Sequence, residues 1–411
     1  MSQTGGCRPD HLEWLLELTQ LPTAAGREWR VTAWIDRWAS QRPDVRIDRD
    51  GAGNLVLTSE RIASRARDGG SPIFITAHLD HPGFVVERVL GGGLCEVSFR
   101  GGVQPAFFEG APITLYPDAA PGPAGGVPAR ITGPASGPHT AFSFHTIQVE
   151  PAGAADLIGP GDVGTWRLEP SGLVDGIVHA PGCDDLAGVA AALAAWDMLR
   201  GDGAASGPAS APVEETRLLF TRAEEIGFVG AIAACRARTM PPEARVIALE
   251  NSRAFPESPI GAGPIVRVGD RISIFSPWLT AACAKRAEEV FGRPAQPHAA
   301  QTGPSAGRPW QRKLMPGGAC EASVFCSFGY AATCLCLPLG NYHNMPHLAE
   351  HLAGTYDAAR LGPARAEREF IALADFAGLV DLLVGIGTEL PAEDPNLRRF
   401  EKLFAERAFV L

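Results

Sequence analysis

The stretch Pro72-Ile-Phe-Ile-Thr-Ala-His-Leu-Asp80 is a short continuous apolar run that ends in a histidine and an aspartate. Such a run is typical of a strand in a buried parallel sheet, whose two faces are both covered by helices. Similar runs follow along the chain at residues 217–220, 245–249 and 333–337. Segments with helical periodicity lie between them at residues 186–199, 230–237 and 277–291. Ser276 is the predicted N-cap of the last segment. This alternation predicts a three-layer α/β/α domain.

The region from residue 89 to residue 175 breaks the alternation. It has almost no helical period and contains β-like pieces between Gly/Pro turns, at residues 93–99, 111–116, 127–131 and 142–150. We therefore predict a small all-β domain inserted into the α/β domain. The predicted division is a first catalytic part at 1–88, a dimerisation or lid insert at 89–175, and a second catalytic part at 176–411.

Length, charge and cysteine content narrow the class of protein. A chain of 411 residues is long enough for two compact units. Its net charge is −10 and it has no basic run, which argues against nucleic-acid binding. We find no signal-peptide pattern, and the longest apolar run, at 371–386, is too short to span a bilayer and is broken by Asp375 and Asp381. Nine cysteines without zinc-knuckle spacing favour a reducing compartment, so we expect a cytoplasmic protein with no membrane partner.

Acids and histidines gather where the predicted strands end. Ligands of open α/β sheets collect at the carboxyl ends of strands, so the side chains that follow each apolar run are the candidates. His78 and Asp80 follow the first run, and on an extended chain they project to the same side. The imidazole can bind a metal while the carboxylate fixes its tautomer. A purely structural His–Asp contact is the alternative.

Two pairs of adjacent carboxylates are the next candidates. Asp184 and Asp185 open the apolar helix predicted at 186–199, where either a functional site or simple helix capping explains them. Glu224 and Glu225 come after the next strand. One of these glutamates can bind metal while the other acts as a general base toward water. A solvated surface pair is the alternative.

Two further strand ends complete the set. Glu250 directly follows one strand, and His343 lies in the loop after another, near the competing histidines His347 and His351. Taken singly, each is explained as an ordinary surface residue. Together the candidates supply two histidines and three carboxylates, with one extra glutamate free for proton transfer. This inventory suits two zinc-class ions that share a bridging carboxylate and each keep room for water.

The combination of motifs resembles the dinuclear zinc aminopeptidases and their deacylase relatives. The motifs are Ala77-His-Leu-Asp80, Gly182 to Gly188, Glu224-Glu-Ile-Gly227 and His343. The β-rich insert lies between Asp80 and Asp184, which is similar to the tetrahedral, glutamyl-aminopeptidase-like family and unlike the carboxypeptidase branch. Residues 101–110 and 317–322 also look like that family, and the resemblance covers residues 10–355.

The resemblance implies a role for each matched residue. One ion would be held by His78, Asp184 and Glu250. The other would be held by Asp184, Glu225 and His343, so that Asp184 bridges. Glu224 would be the general base, Asp80 would partner His78, and the Asp184–Asp185 peptide bond would be cis.

The chain departs from the family pattern at several positions. The family usually has Glu at His81, Arg at Leu186, Asp at Glu250 and Thr-Asp at residues 320–321, and its tail beyond the last histidine is shorter. None of these departures removes a metal ligand or the base. They leave the substrate preference and the large tetrahedral assembly open.

The sequence thus predicts a metal-dependent aminopeptidase in which Glu224 takes a proton from water and passes it to the leaving amine. Two divalent ions per subunit are expected, with zinc favoured and cobalt or manganese compatible with the ligands. The expected partners are a peptide or small amide and further copies of the chain, in a dimer or a larger assembly. The alternatives are a deacylase of small N-acyl substrates with the same ligands, and a non-catalytic peptide-binding relative.

Overall fold

A computed structural model describes residues 7–118, 125–150, 152–201, 211–295, 307–391 and 394–411. The helices are α1 (Pro9–Leu18), α2 (Trp29–Ser40), α3 (Glu60–Ala63), α4 (Leu186–Arg200), α5 (Val229–Ala237), α6 (Pro277–Phe291), α7 (Glu321–Ser327), α8 (Leu348–Ala353), α9 (Ala358–Leu361), α10 (Leu373–Thr388) and α11 (Pro395–Arg407). The first nine strands are β1 (Val45–Arg49), β2 (Leu55–Ser59), β3 (Ile73–His78), β4 (Gly83–Gly91), β5 (Leu94–Arg100), β6 (Pro112–Tyr116), β7 (Val127–Ala135), β8 (Ser143–Val149) and β9 (Val163–Trp166). The others are β10 (Gly172–Val174), β11 (Ile177–Ala180), β12 (Thr216–Thr221), β13 (Arg245–Arg253), β14 (Ile265–Gly269), β15 (Gln311–Leu314), β16 (Ala331–Leu339) and β17 (Glu369–Ala372).

An eight-stranded sheet in the order β1-β2-β12-β3-β13-β16-β14-β15 forms the centre of the protein. Its four middle strands, β12, β3, β13 and β16, are parallel and contain the continuous apolar runs of the sequence. Alternate residues of β3 face opposite helical layers: Ile73 and Ile75 pack with α4 and α10, and Phe74 packs with α5 and α7. Both faces are therefore covered, and the predicted three-layer α/β/α fold is confirmed.

Local sequence explains where helix α4 ends and where helix α6 begins. Helix α4 is buried along almost its whole length and ends at Gly201, whose φ of 91° suits a residue without a side chain. Ser276 precedes α6 as predicted, but its side chain makes no capping hydrogen bond. Helix α6 instead begins with Pro277, whose fixed φ suits the first helical position.

A closed barrel of six strands, in the order β4-β5-β8-β7-β6-β9, lies between β3 and α4 along the chain. Aromatic rings fill its interior, with Phe84 in edge contact with Phe99 and Trp166. The sequence pattern indicates β5 to β8 but neither β4 nor β9. Strand β4 begins at Gly83, close after the His78–Asp80 motif, and its sequence reads as part of that motif. The exact domain boundaries at residues 88 and 175 remain a prediction.

A small sheet of β10, β11 and β17 lies beside the carboxyl edge of the main sheet. Its strand β17 pairs with β11 so that Glu369 is opposite Ala180. All nine cysteines are free thiols, and each except Cys326 is buried. Among the described residues, no helix combines the length and apolar content that a membrane crossing requires.

Candidate metal centre

The carboxyl edge of the four parallel strands brings the predicted site residues together. His78 is the last residue of β3, and Glu224 and Glu225 follow the end of β12. Glu250 lies within β13, which continues to Arg253 beside β16 after its pairing with β3 has ended at Ala248. Because β3 stops earlier, the Glu250 side chain reaches the open end of the sheet.

Asp184 lies between two histidines and faces each with a different oxygen. Its Oδ1 is 3.5 Å from Nε2 of His78, and its Oδ2 is 3.6 Å from Nε2 of His343. All three side chains are buried. The carboxylate therefore lies between the two imidazoles, at the position where the resemblance predicts a bridging ligand.

Two groups of candidate ligands result. In each of them, the ligand atoms of all three residues lie within 4.8 Å of one another. One group is His78, Glu224 and Glu250, and the other is Asp184, Glu225 and His343. Glu225 Oε1 is 3.3 Å from Nε2 of His343, whereas Glu224 and Glu250 each approach Nε2 of His78 to 3.9 Å.

Several atoms in these groups are buried without a hydrogen-bond partner within the described part of the chain. They are Asp184 Oδ1, Glu225 Oε1 and His343 Nε2. Unpaired polar atoms are costly to bury, and four carboxylates gathered at one point repel each other. Divalent cations would satisfy both needs, so the residues present fit a metal centre.

Both histidines are oriented through their other ring nitrogen. Nδ1 of His78 donates to the carbonyl of Asp80 at 3.0 Å, and Nδ1 of His343 donates to the carbonyl of Gly102 at 2.8 Å. In the neutral form of each ring, this hydrogen bond leaves Nε2 as the unprotonated nitrogen that can bind a metal. Gly102 belongs to the loop after β5, so the barrel supplies part of the support for the site.

Asp80 contacts both His78 and the loop that carries the two glutamates. Its carboxylate is 3.7 Å from the His78 ring, which is bound more closely by the Asp80 carbonyl. The two carboxylate oxygens instead accept the backbone N–H groups of Glu224 and Glu225, at 2.9 and 3.0 Å. Asp80 thus fixes the loop that carries both glutamates.

Charge interactions shift the pKa values of the two histidines upward. Burial lowers the pKa of His78, but Glu224 and Asp184 outweigh it and raise the pKa well above its ordinary value. Burial likewise opposes charge on His343, and Glu225 and Asp184 raise its pKa well above the ordinary value. In the absence of metal, imidazolium groups therefore compensate the carboxylates.

The carboxylates respond in opposite directions. Burial raises the pKa of Glu224 well above its ordinary value, and Glu225 raises it further. Burial and Asp184 do the same to the pKa of Glu250. The pKa of Asp184 lies below its ordinary value despite burial, because the neighbouring imidazoles of His343 and His78 favour its charged form.

Asp185 and its surroundings were not predicted in detail. The Asp184–Asp185 peptide bond is cis, as the resemblance implies. Asp185 occupies the N-cap position of α4 without a capping hydrogen bond, so capping does not explain this pair. Its Oδ1 accepts instead from the Asn251 side chain at 2.7 Å.

Two buried residues near the site were missed as functional candidates. His81 contacts the carbonyl of Asp184, and Glu369 accepts backbone N–H groups from both ligand-bearing loops. His81 could have been suspected from its place after the His78–Asp80 motif, whereas no pattern marks Glu369. The competing histidines lie elsewhere: His347 is exposed and pairs with Glu350, and His351 stacks on Tyr356.

A further group of ligand-type side chains comprises Asp10, His11 and Asp197. Asp197 accepts from Arg42 at 2.8 Å and from Arg200 at 3.0 Å. These arginines already compensate the buried carboxylate, so this group is explained as an ion-pair network.

A cavity opens beside Glu250. Its lining is Glu250, Asn251, Ser252, Arg253, Phe255, Arg267, Met315, Gly317, Gly318, Ala319, Tyr342, Leu348 and Leu352. Apolar side chains and two guanidinium groups thus face a common space next to the candidate ligands.

Comparison with known proteins gives consistent findings. A model of the family described as M42 glutamyl aminopeptidase matches residues 59–350. A search of curated protein sequences finds no significant match. An aminopeptidase from the archaeon Desulfurococcus kamchatkensis aligns with a TM-score of 0.68 at 18% identity, covering 95% of this chain and 98% of that one. A Pyrococcus horikoshii TET1 peptidase gives 0.65 at 21% identity, covering 92% of this chain and 100% of that one. A TET aminopeptidase from a marine sediment Thaumarchaeota archaeon gives 0.67 at 17% identity, covering 93% and 98%.

Proposed function

Because this chain belongs to the M42 glutamyl aminopeptidase family, we propose that it removes N-terminal residues from peptides by metal-assisted hydrolysis with two divalent ions. The position of Asp184 carries the proposal. Its two oxygens face the two histidines, and each histidine stands with one candidate ligand group. That arrangement suits two cations that share one carboxylate.

His78 and Glu250 would hold one ion, Glu225 and His343 the other, and Asp184 both. Imidazole and carboxylate ligands suit zinc, with cobalt and manganese as compatible alternatives. When bound, such ions lower the pKa of water toward neutrality and polarise the scissile carbonyl group.

Glu224 is the proposed general base. Glu224 lies with His78 and Glu250 in one ligand group, but when Asp184 is shared by both ions each ion has three ligands without Glu224. Its carboxylate then remains available for proton transfer. Asp80 holds its backbone N–H at 2.9 Å and thereby fixes the direction of the side chain. Glu224 would accept a proton from the attacking water and donate it to the leaving amine.

The cavity beside Glu250 would hold the side chain of the first substrate residue. Within the described residues, Arg267 donates only to neutral oxygens, namely those of Ser252, Gly269, Met315 and Gly318. Arg253 lies 5.2 Å from the Phe255 ring and has no carboxylate partner in this part of the chain. Two guanidinium groups that make no hydrogen bond to a carboxylate among the described residues favour an acidic side chain in the cavity.

The acidic preference is tested with glutamyl and leucyl amides. Replacing Arg253 by Ala is expected to lower kcat/KM for the glutamyl amide relative to the leucyl amide by about tenfold, since a bond to a charged group contributes ~1.5 kcal/mol or more. Arg312→Ala, on the exposed side of β15, is the matched control. An unchanged ratio in Arg253→Ala would contradict the preference.

We further propose that the chain forms a homo-oligomer. The Pyrococcus horikoshii TET1 peptidase is described as assembling into a tetrahedron or a large octahedral shell. In this chain, α11 exposes Leu397, Phe400 and Phe404, and an apolar patch of this kind is often covered in an assembly. Light scattering on the eluting protein gives the number of copies directly.

The proposed activity is tested with free-amine aminoacyl amides beside their N-acetylated counterparts. The protein is stripped of metal and reloaded, with Glu224→Gln as the control that keeps the ligands. Hydrolysis of the free-amine set alone, lost on stripping and in the control, is the expected result. Hydrolysis of the acetylated set would instead identify a deacylase, and inactivity on both sets with two ions bound would favour a peptide-binding role.

A further inference from the structure

Glu369 holds the backbones of two separate ligand-bearing loops. It is fully buried at the start of β17, where pairing with β11 fixes its position beside the loop that carries Asp184. Its Oε2 accepts the N–H groups of Cys183 at 2.6 Å and of Asp184 at 3.1 Å. Its Oε1 accepts the N–H of His343 at 2.8 Å. One carboxylate thus connects the bridging residue with the second histidine.

His81 connects the same two loops, the one that carries Asp184 and the one that carries His343, through other atoms. It is buried, and its Nδ1 lies 2.7 Å from the carbonyl oxygen of Asp184. Its Nε2 lies 3.1 Å from the side-chain oxygen of Asn344, the residue after His343. Both main-chain polar atoms of Asp184 are therefore bound, the N–H by Glu369 and the carbonyl by His81.

The side chain of Asn344 is held by two further backbone groups. Its amide nitrogen donates to the carbonyls of Pro181 at 2.8 Å and Glu367 at 3.1 Å. A flipped amide would place its oxygen against both carbonyls, so its oxygen faces His81. The Asp184 carbonyl can only accept, so Nδ1 of His81 donates to it. His81 therefore connects the Asp184 carbonyl with a side chain of the loop that carries His343.

We propose that His81 and Glu369 form a hydrogen-bonded clamp that positions Asp184 and His343 for metal binding. Neither residue approaches the proposed ligand atoms, so both are positioning residues. The loops that they hold follow the ends of strands and have no ladder of backbone hydrogen bonds to fix them. The inference rests on the proposed two-metal function, and it assigns the affinity of the ion between Asp184 and His343 to residues outside the ligand set.

The variants His81→Phe and Glu369→Gln each remove one half of the clamp. In Glu369→Gln, an amide that keeps its oxygen toward Cys183 and Asp184 must point its NH2 group at the N–H of His343. Matched controls are His145→Phe, a histidine buried in the barrel, and Glu214→Gln, a buried carboxylate bound by Arg245 at 2.6 Å. Both control residues lie away from the metal centre.

Stepwise zinc affinity is measured on stripped protein by titration against a competing chelator. We expect one of the two zinc ions to bind on the order of 10–100-fold more weakly in each clamp variant, as is typical when a residue that orients a ligand is removed. The controls should keep wild-type affinities even if their melting temperatures fall. The double variant should lose less than the product of the two single losses, because both act on the same loops.

Zinc affinities within twofold of wild type in folded clamp variants would overturn the inference. Equal losses in the control variants would overturn it as well. A wild type that binds no zinc would instead refute the two-metal function itself, so the two failures are distinguishable.

Discussion

Zinc binding to the stripped protein at pH 7 is expected to release about two protons or more. The pKa of His78 and that of His343 both lie well above the ordinary value, because the carboxylates around them outweigh the effect of burial. Without metal these imidazoles carry protons at neutral pH. An imidazole must be neutral to bind a metal, so the proton on each Nε2 has to leave when the ions enter.

The magnitude follows from this count. Two protons exchanged for two ions make the overall zinc association constant rise by about two powers of ten per pH unit, or ~2.7 kcal/mol. The affinity therefore falls as the pH falls. The slope persists up to the raised pKa values of the metal-free histidines. Glu224 and Glu250, whose pKa values are raised chiefly by burial, can only steepen it.

Titration calorimetry in two buffers of different ionisation enthalpy measures the number directly. At one pH, the difference between the two observed heats divided by the difference in buffer enthalpies is the number of protons released. Release of fewer than one proton per protein would refute the reasoning, since it would mean that the two histidines are neutral before zinc arrives. His145→Phe, which leaves the centre intact, should release the wild-type number.

Two further results are expected. Asp80→Ala should keep two bound ions but lower kcat by roughly tenfold or more, because the N–H groups of Glu224 and Glu225 lose their acceptor. Steady-state kinetics together with a zinc assay measures both quantities, and an unchanged kcat would contradict the prediction. Although burial opposes it, Arg200 holds the pKa of Asp44 at about 2, so the ion pair stabilises the fold above pH ~4 and the benefit is lost as the pH falls from ~4 to ~2. Asp44→Asn should therefore lower the free energy of unfolding in urea by roughly 1 kcal/mol at pH 7, after allowance for solvent screening, and the difference should shrink by pH 3; a difference independent of pH would contradict it.

The clustering of the proposed ligands could be predicted because the fold brings these residues to one edge of the sheet. Continuous apolar runs identify the parallel strands. Every proposed ligand except Asp184, which precedes α4, follows or lies near the end of one run, so the common edge of the sheet brings these residues together. His78 and Glu250 show this: they are 172 positions apart in the sequence, yet their side chains approach to 3.9 Å. Residue type and strand position were sufficient for these residues.

Residues that act through the backbone were not open to prediction in the same way. Asp80 could be identified as important, but which groups its carboxylate binds depends on how the loop after β12 folds back. Glu369 begins a short strand beyond the region that the family model matches, and the neighbouring sequence contains no motif that indicates a role for it. Its partners are backbone N–H groups, which are present at every residue except proline and leave no trace in the sequence.

The bond between His343 and Gly102 makes the barrel and the metal centre thermodynamically interdependent. The carbonyl of Gly102 fixes the His343 ring, and the nearby Gln104 N–H donates to the Met345 sulfur at 3.3 Å. If docking of the barrel makes the free energy of ion binding more favourable, ion binding must make the free energy of barrel docking more favourable by the same amount. A metal bound by His343 would therefore also strengthen the contact between the barrel and the rest of the protein. Removing the metal should first increase hydrogen exchange at residues 101–104, where the barrel contacts the loop of His343, while the interior of the central sheet stays protected.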